Sequence, residues 1–294
     1  MSTRYPLVEL TDPMPQATVD APIGIFDSGI GGLSVALEIA RYLPHERIIH
    51  FADTAHVPYG ARSDQEIRAF TAQGIEWLYR QGCKVVVVAC NTASAFSLDY
   101  LREHYGERLP IIGLVPALKP AVLQTKTKTV AVLATPATFR GQLIKDVMTR
   151  FAQPAQVKVL SVTCLDLVPF VEHGQQMSPA CLSTLQHTLQ PVVDQGADYL
   201  VLGCTHYPFL RTAIESLFGQ QLTLIDSGFA VARQTARILI KNGLSLEQAQ
   251  SAAAPRLMCY VSGQNAEPLR DILKHLLPEQ LSWDIANLDK TALE

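Results

Sequence analysis

Two cysteines occupy matching positions in two parts of this chain. Cys90 and Cys204 each end a short apolar run, and each is followed by polar residues of the kind that begin a helix. An enzyme that inverts a stereocentre needs a base on one face of its substrate and an acid on the other. Two thiols presented by two similar half-sites could supply both. A lone cysteine after a valine run is usually an inert core residue, whereas a matched pair is harder to explain by packing alone.

The residues after Cys90 are Asn91 and Thr92, which could cap the next helix. A helix N-terminus lowers the pKa of a thiol, because unpaired N–H groups and the positive end of the helix dipole stabilise the thiolate. We therefore expect Cys90, and by the same argument Cys204, to have a lowered pKa. Four other cysteines lack this setting and are interpreted as structural: Cys83, Cys164, Cys181 and Cys259.

Three ionisable residues could assist the thiols, and each also has a simpler interpretation. Asp27 is either the N-cap of the following helix or a carboxylate beside a thiol. His206, two residues after Cys204, either hydrogen-bonds a backbone carbonyl or controls the protonation state of that thiol. Glu172 could belong to the site, but the sequence alone favours a solvated helix residue.

A glycine-rich run at residues 29–32 follows Asp27. Its backbone N–H groups could form a nest for an anionic group. A dinucleotide site is the weaker alternative, because Ser34 stands where the last glycine of the GxGxxG motif would be. A second turn, at residues 57–60, either aims backbone N–H groups at a ligand or simply joins two elements.

Composition excludes several classes of protein. The chain has 294 residues, 48% hydrophobic and 17% charged, which suggests roughly two domains with large cores and no disorder. A net charge of −3 without a Lys/Arg cluster argues against a dedicated nucleic-acid binder. The six cysteines include no CxxC pair or zinc spacing, so we expect neither disulfides nor a metal. The apolar stretches are too short for a membrane span and the N-terminus lacks a signal peptide's apolar core, so we expect a cytoplasmic protein.

From residue 22 onward, short apolar runs alternate with helical patterns, which predicts an α/β fold with parallel sheets. The expected strands are Ile23–Phe26, Ile48–Ala52, Val85–Ala89, Ile111–Leu114, Val130–Ala134, Val157–Ser161, Tyr199–Leu202, Leu222–Ile225 and Leu257–Val261. The expected helices include Gly32–Arg41, Asp64–Gln81, Thr138–Phe151, Pro179–Gln195 and Ala266–Leu277.

An Asp-Ser-Gly sequence follows two of these strands, at Asp27 and again at Asp226. Together with the paired cysteines, this repeat predicts two pseudo-symmetric lobes, each a mainly parallel sheet flanked by helices. Ligands of such sheets bind at the carboxyl ends of the strands, so we expect an active site in the cleft between the lobes. We assign residues 1–20 to an N-terminal extension, 21–115 plus 226–294 to the first lobe, and 116–225 to the second.

Five segments, taken together, resemble those of bacterial glutamate racemases, cofactor-independent two-cysteine enzymes of the aspartate/glutamate racemase superfamily. The segments are Phe26–Ser34, Pro58–Gly60, Ala89–Ser94, Leu133–Thr138 and Leu202–Pro208. Their shared order makes the match specific. The resemblance implies an isomerase that interconverts L- and D-glutamate without a cofactor and supplies D-glutamate for peptidoglycan synthesis, cell-wall biogenesis and cell shape.

The resemblance also implies roles for individual residues. Cys90 and Cys204 would lie on opposite faces of the glutamate α-carbon, the first deprotonating D-glutamate and the second L-glutamate. Asp27 would assist Cys90, whereas His206 and Glu172 would assist Cys204. The residues implied to bind substrate are Asp27, Ser28, Pro58, Tyr59, Gly60, Asn91, Thr92, Thr135, Thr138 and Thr205.

Rival functions stay open at this point. A related aspartate or hydantoin racemase would share both cysteines but need a different pocket for the distal group. A one-thiol decarboxylase of the superfamily would lack one cysteine, and a His two residues from Cys204 is poor evidence for a hydrolase dyad. Some members of the resembled family bind DNA gyrase, and some with an extension like 1–20 are activated by UDP-N-acetylmuramoyl-L-alanine. We hold both, and a homodimer, as expectations, with no direct nucleic-acid or membrane partner.

Overall fold

The computed structural model describes residues 17–247, 256–263 and 265–288. Most of the expected extension, residues 1–16, lies outside the described residues. The described ranges contain ten strands: β1 Ile23–Asp27, β2 Ile48–Ala52, β3 Val85–Val88, β4 Ile111–Gly113, β5 Thr129–Leu133, β6 Lys158–Val162, β7 Tyr199–Leu202, β8 Thr223–Ile225, β9 Leu257–Val261 and β10 Trp283–Asn287.

Eleven α-helices connect or follow these strands within the described residues. They are α1 Leu33–Tyr42, α2 Asp64–Arg80, α3 Asn91–Tyr105, α4 Leu118–Gln124, α5 Pro136–Arg140, α6 Gln142–Val147, α7 Leu167–Glu172, α8 Pro179–Asp194, α9 Arg211–Phe218, α10 Gly228–Lys241 and α11 Ala266–Leu276.

The strands form two sheets. The larger has the order β10-β9-β2-β1-β3-β4 and the smaller the order β6-β5-β7-β8. Every strand pair described is parallel, so the predicted fold class, two mainly parallel sheets flanked by helices, is confirmed. The exact division of the chain at residues 115–116 and 225–226 stays a prediction.

The central strand β3 explains why its sequence is a run of valines. Val85 and Val87 pack into the core on one face of the larger sheet, and Val86 and Val88 into the core on the other. All four are fully buried. A strand covered by helices on both faces has a continuous apolar sequence, and this is why β3 could be predicted from the sequence.

Two expectations are wrong in detail. The helix expected over Thr138–Phe151 is divided into α5, α6 and a π-helical turn at Met148–Ala152. Gly141 breaks it in an extended conformation, where a Cβ would lie 2.6 Å from that of Ala95 on α3. Strand β10 is absent from the expected strands, because at the edge of the sheet it buries only Ile285 and has no apolar run to detect.

Candidate active site

The first thiol is positioned by the end of β3. Cys90 is itself the N-cap of α3, and its Sγ accepts a hydrogen bond from the N–H of Ala93 at 3.4 Å. The expected cap, Asn91, is instead the first residue of the helix. The Cys90 thiol also donates to Oγ of Ser28, at 3.6 Å, which follows β1. Two adjacent parallel strands therefore fix this side chain.

The second thiol lies beyond the end of β7 in the smaller sheet. Sγ of Cys204 is 3.7 Å from Nδ1 of His206. The helix expected to begin here is delayed, because the short 3₁₀ turn Tyr207–Leu210 precedes α9. Cys204 thus differs from Cys90: its partner is an imidazole rather than a helix N-terminus.

The imidazole of His206 is anchored in turn by Glu172, the last residue of α7. Nε2 of His206 and Oε1 of Glu172 are 2.6 Å apart. The same carboxylate oxygen accepts a hydrogen bond from the N–H of Ile30 at 2.9 Å. The side chain of Glu172 is only 10% exposed, so its interpretation as a solvated helix residue is wrong. The three groups join the smaller sheet to the β1–α1 connection of the larger one.

Asp27, at the end of β1, is completely buried. Its Oδ2 accepts hydrogen bonds from the N–H groups of Gly29 at 3.2 Å and Gly32 at 3.0 Å. Its Oδ1 accepts one from the hydroxyl of Thr205, at 3.1 Å, in the other lobe. The carboxylate therefore holds the glycine-rich turn that precedes α1 and also contacts the residue beside Cys204.

The predicted anion nest at residues 29–32 is present, but carboxylates of the protein fill it. The N–H groups of Gly29 and Gly32 donate to Asp27, and that of Ile30 donates to Glu172. These three donors are satisfied internally. The run therefore orients groups beside the thiols, and the expectation that it receives an external anion is not supported.

Both thiols line one cavity between the carboxyl ends of the two sheets. Of the substrate-binding residues expected from the resemblance, all but two line it: Ser28, Pro58, Tyr59, Gly60, Asn91, Thr92, Thr135 and Thr205. The remaining two lie one layer behind: Asp27 contacts Thr205, and Thr138 contacts Thr92 and Thr135. His206 also lines the cavity, whereas Glu172 lies behind it.

Three threonine hydroxyls form a connected group at the cavity: Thr92 and Thr135 line its wall, and Thr138 lies behind them. Oγ1 of Thr92 is 2.8 Å from that of Thr135 and 3.2 Å from that of Thr138. Oγ1 of Thr135 also caps α5 by accepting from the N–H of Thr138 at 3.1 Å. Nearby, Oδ1 of buried Asn91 has no hydrogen-bond partner in the described part of the chain. The wall thus offers hydroxyls and one unsatisfied carbonyl oxygen to a polar ligand.

Burial sets the ionisation of this site. It raises the pKa of the Asp27 carboxyl to about 6, although the nearby His206 and the N–H of Gly29 oppose the rise. Burial, reinforced by the charge of Asp27, raises the pKa of Cys90 to about 12. The expected lowering at Cys90 is therefore wrong, because burial outweighs the N-terminal end of one helix.

His206 behaves in the opposite way. Burial alone would lower its pKa, but hydrogen bonds to Cys204 and Glu172 raise it well above the usual value. The protonated ring has two N–H groups, one for each of these partners. His206 therefore holds a proton next to Cys204 over the physiological pH range.

Sequence reasoning did not find two residues that the geometry places here. Val168, on α7, contributes an apolar side chain to the cavity wall, and no periodic signal distinguishes it from a core residue. Ser34 donates from Oγ to the carbonyl of Thr205 at 2.9 Å, which joins α1 to the turn after Cys204. The sequence indicated Ser34 only as a departure from a glycine motif.

Within the described residues, no helix is both long and apolar enough to cross a membrane. Nor do any three or more His, Cys, Asp or Glu side chains there lie together in an arrangement that could hold a metal ion.

Comparison with known proteins adds independent information. A family model described as Asp/Glu/hydantoin racemase matches residues 31–235. The glutamate racemase of Deinococcus radiodurans is 55% identical over 234 residues, which cover 80% of this chain and 79% of that protein.

Solved structures agree with this similarity. The glutamate racemase of Escherichia coli, in complex with L-glutamate and the activator UDP-MurNAc-Ala, is 31% identical with a TM-score of 0.77, covering 91% of this chain and 97% of that one. The glutamate racemase of Francisella tularensis, in complex with D-glutamate, is 29% identical with a TM-score of 0.75, covering 92% and 98%.

Proposed function

The chain belongs to the Asp/Glu/hydantoin racemase family, and we propose that within it the chain is a glutamate racemase that interconverts L- and D-glutamate. The observation that carries this proposal is that Cys90 and Cys204, from different sheets, line the same cavity. Relatives named glutamate racemase support the choice of substrate. The product D-glutamate would supply peptidoglycan synthesis, and a cytoplasmic location remains our prediction.

The reaction proceeds by transfer of two protons at one carbon. The thiolate of Cys204 removes the α-proton of L-glutamate, and the electron pair of the broken C–H bond remains on the substrate as a carbanion. The thiol of Cys90 then gives its proton to the opposite face, which forms D-glutamate and leaves Cys90 as the thiolate. The reverse reaction begins from that state, so the two thiols exchange roles.

The raised pKa of Cys90 suits the donor role. A thiol whose pKa is raised to about 12 by burial gives its proton to a strong base such as a carbanion, but not readily to water. The buried carboxylate of Asp27 contributes to this by disfavouring a second negative charge nearby. When D-glutamate is the substrate, Asp27 is the base available to receive the proton of Cys90.

Cys204 is served by a charged pair. The imidazolium of His206, held by Glu172 at 2.6 Å, donates a hydrogen bond towards Cys204 and compensates negative charge on its sulfur. Since this pair is buried, its interactions are little screened by solvent. The two thiols therefore have different assisting groups, Asp27 for Cys90 and the His206–Glu172 pair for Cys204.

The cavity also supports the developing carbanion. An amino-acid α-proton is very weakly acidic, so the negative charge on the substrate must be met by donors that are already oriented. The hydroxyls of Ser28, Thr92 and Thr205 and the amide of Asn91 line the cavity and can point at the substrate carboxylates and ammonium. Exclusion of water strengthens each of these interactions.

The function is tested by circular dichroism of the purified protein with L-glutamate and, separately, D-glutamate, without added cofactor. The proposal predicts decay of either signal to the same racemic end point. L-aspartate and a 5-substituted hydantoin serve as rival substrates in the same assay. Faster inversion of either one than of glutamate would reassign the substrate, and no inversion of any would refute the activity.

We also propose that UDP-N-acetylmuramoyl-L-alanine activates this chain, as that compound is the activator in the Escherichia coli complex. Racemisation measured with and without the nucleotide tests this, and a deletion of residues 1–20 tests whether the extension takes part. At the described end of that segment, Nζ of Lys84 donates to the carbonyl of Val19 at 2.5 Å. Gyrase binding and a homodimer remain predictions from resemblance.

A further inference from the structure

A buried carboxylate that the mechanism does not use lies behind one wall of the cavity. Asp53 follows β2 and is 3% exposed. Its Oδ2 accepts a hydrogen bond from the phenol of Tyr59 at 2.5 Å, and its Oδ1 accepts one from Oγ of Ser262 at 2.6 Å. Nδ1 of His56 lies 2.9 Å and 3.0 Å from the two oxygens. Three side chains, from the segments that follow β2 and β9, thus converge on the carboxylate of Asp53.

The phenol held by Asp53 belongs to the turn that closes the cavity. Tyr59 and Gly60 both line the cavity, and Tyr59 is 1% exposed. Because the hydroxyl of Tyr59 is engaged by Asp53, it is directed away from the ligand space. The turn is also fitted against the other lobe: a Cβ on Gly60 would lie 2.7 Å from Cβ of Thr135 and 2.8 Å from a methyl of Leu165.

The strength of this anchor follows from its chemistry. A hydroxyl donating to an ionised carboxylate at 2.5 Å is a charge-assisted hydrogen bond, which is about twice as strong as a neutral one. Burial, together with Asp53, raises the pKa of the Tyr59 phenol well above its usual value, so the phenol keeps its proton and remains a donor.

We infer that Asp53 is a positioning residue for racemisation, which acts through Tyr59 to hold the Tyr59–Gly60 turn against the bound amino acid. The inference rests on the proposed function, since it assigns Asp53 a part in substrate binding by that same cavity. A shift of the turn moves the cavity wall relative to both thiols, and small misplacements of a reacting group are costly. The alternative is that Asp53 only stabilises the loop.

The test measures the KM for L- and D-glutamate of wild type, Asp53→Ala, Asp53→Asn and Tyr59→Phe. KM does not depend on the fraction of the sample that is folded, so it separates positioning from stability. Loss of a hydrogen bond to a charged group predicts a rise of about tenfold or more for Asp53→Ala and for Tyr59→Phe. Asp53→Asn retains an acceptor oxygen and is expected to recover part of the loss. The double variant Asp53→Ala/Tyr59→Phe should be no worse than Asp53→Ala alone.

Asp198 supplies a matched control. It anchors the loop before β5, accepting from the N–H groups of Lys126 and Thr127 and from the hydroxyl of Thr125, but it lies at the amino end of β7, away from the cavity. Asp198→Ala should lower the melting temperature and leave KM unchanged. Wild-type KM in both Tyr59→Phe and any folded Asp53 variant would overturn the inference. Absence of racemisation in wild type would instead refute the proposed function.

Discussion

The imidazole of His206 packs against the backbone of Gly31 so closely that a Cβ on that glycine would overlap Nδ1 of the ring. The two residues lie in different lobes, one before α1 and the other after β7. A Cβ on Gly29 would likewise overlap Oε1 of Glu172. The glycine run is therefore shaped to admit the histidine and glutamate that serve Cys204.

Gly31→Ala should consequently damage activity through His206. The added methyl forces the ring away from Cys204, and we expect kcat/KM to fall by about 100-fold while the protein stays folded by circular dichroism. In a His206→Asn background the same substitution should have a smaller additional effect, because the ring is gone and only the close approach to Oγ1 of Thr205, at 2.7 Å, remains. Equal losses in both backgrounds would contradict this explanation.

Glu172→Gln removes the countercharge of His206 but retains an oxygen for the N–H of Ile30. The pKa of His206 should fall, as a hydrogen bond that raises it is weakened, and kcat should drop by about 10- to 100-fold. NMR titration of the His206 ring and steady-state kinetics measure the two effects. The control is Glu215→Gln, which affects a half-exposed pair with Arg211 at 3.6 Å on α9. A Glu172 variant with wild-type kcat would remove Glu172 from the mechanism.

The pH dependence of kcat/KM should show the ionisation of the Asp27 carboxyl. With a pKa of about 6, the carboxyl becomes ionised as the pH rises from about 5 to about 7, and only the ionised form can accept the proton of Cys90. We expect kcat/KM to rise over this range with a midpoint near 6, and Asp27→Asn to lack that limb. Because enantiomers have equal free energies, both directions must show the same kcat/KM profile.

Thr205→Val offers a directional check on that assignment. The Thr205 hydroxyl lowers the pKa of Asp27, so its loss should move the midpoint of the acid limb to higher pH. Thr205→Ser retains the hydroxyl and should leave the midpoint in place. The midpoint is informative even if both variants are slower, and a downward shift in the valine variant would show that another group titrates.

Lys84 and Glu46 test stability separately from catalysis. Nζ of Lys84 is fully buried, 2.6 Å from Oε2 of Glu46, and both residues precede their strands, at the sheet end opposite the cavity. Lys84→Met leaves an unpaired buried carboxylate and should cost about 3–5 kcal/mol of unfolding free energy in urea, with KM unchanged. Arg41→Met, which removes an exposed pair with Glu38, should cost at most about 1 kcal/mol. Similar losses of unfolding free energy in the two variants would contradict the conclusion that the buried Lys84–Glu46 pair contributes more to stability than the exposed pair.

The sequence predicted those features that depend on local burial. Strands β2, β7 and β9 have the predicted bounds, because an apolar run between polar turns is sufficient to locate a strand covered on both faces. The Asp-Ser-Gly repeat also forms a similar turn twice, since Oδ1 of Asp226 accepts from the N–H of Gly228 at 2.9 Å much as Asp27 accepts from Gly29. Thiol positions at strand ends follow from the same local pattern.

Features that depend on how the two sheets dock could not be read from the sequence. Glu172 contacts His206 only because α7 packs beside the β1–α1 connection. The residues next to Glu172 in the sequence do not predict that contact. The raised pKa of Cys90 likewise arises from burial between the lobes and from Asp27, whereas its own neighbours favoured a lowered value. Asp226 forms the same kind of turn as Asp27, but its side chain pairs with Arg211. The two Asp-Ser-Gly segments therefore share a backbone arrangement, whereas their aspartates have different functions.

The most direct test of the two-thiol mechanism is deuterium incorporation, followed by proton NMR and circular dichroism in deuterated water. Wild type, Cys90→Ala and Cys204→Ala are each given L-glutamate and then D-glutamate. The mechanism predicts that wild type forms the opposite enantiomer with deuterium at the α-carbon, while unconverted substrate retains protium early in the reaction, and that neither variant inverts. Inversion by either single-thiol variant, or deuterium entering recovered substrate as fast as product, would contradict it.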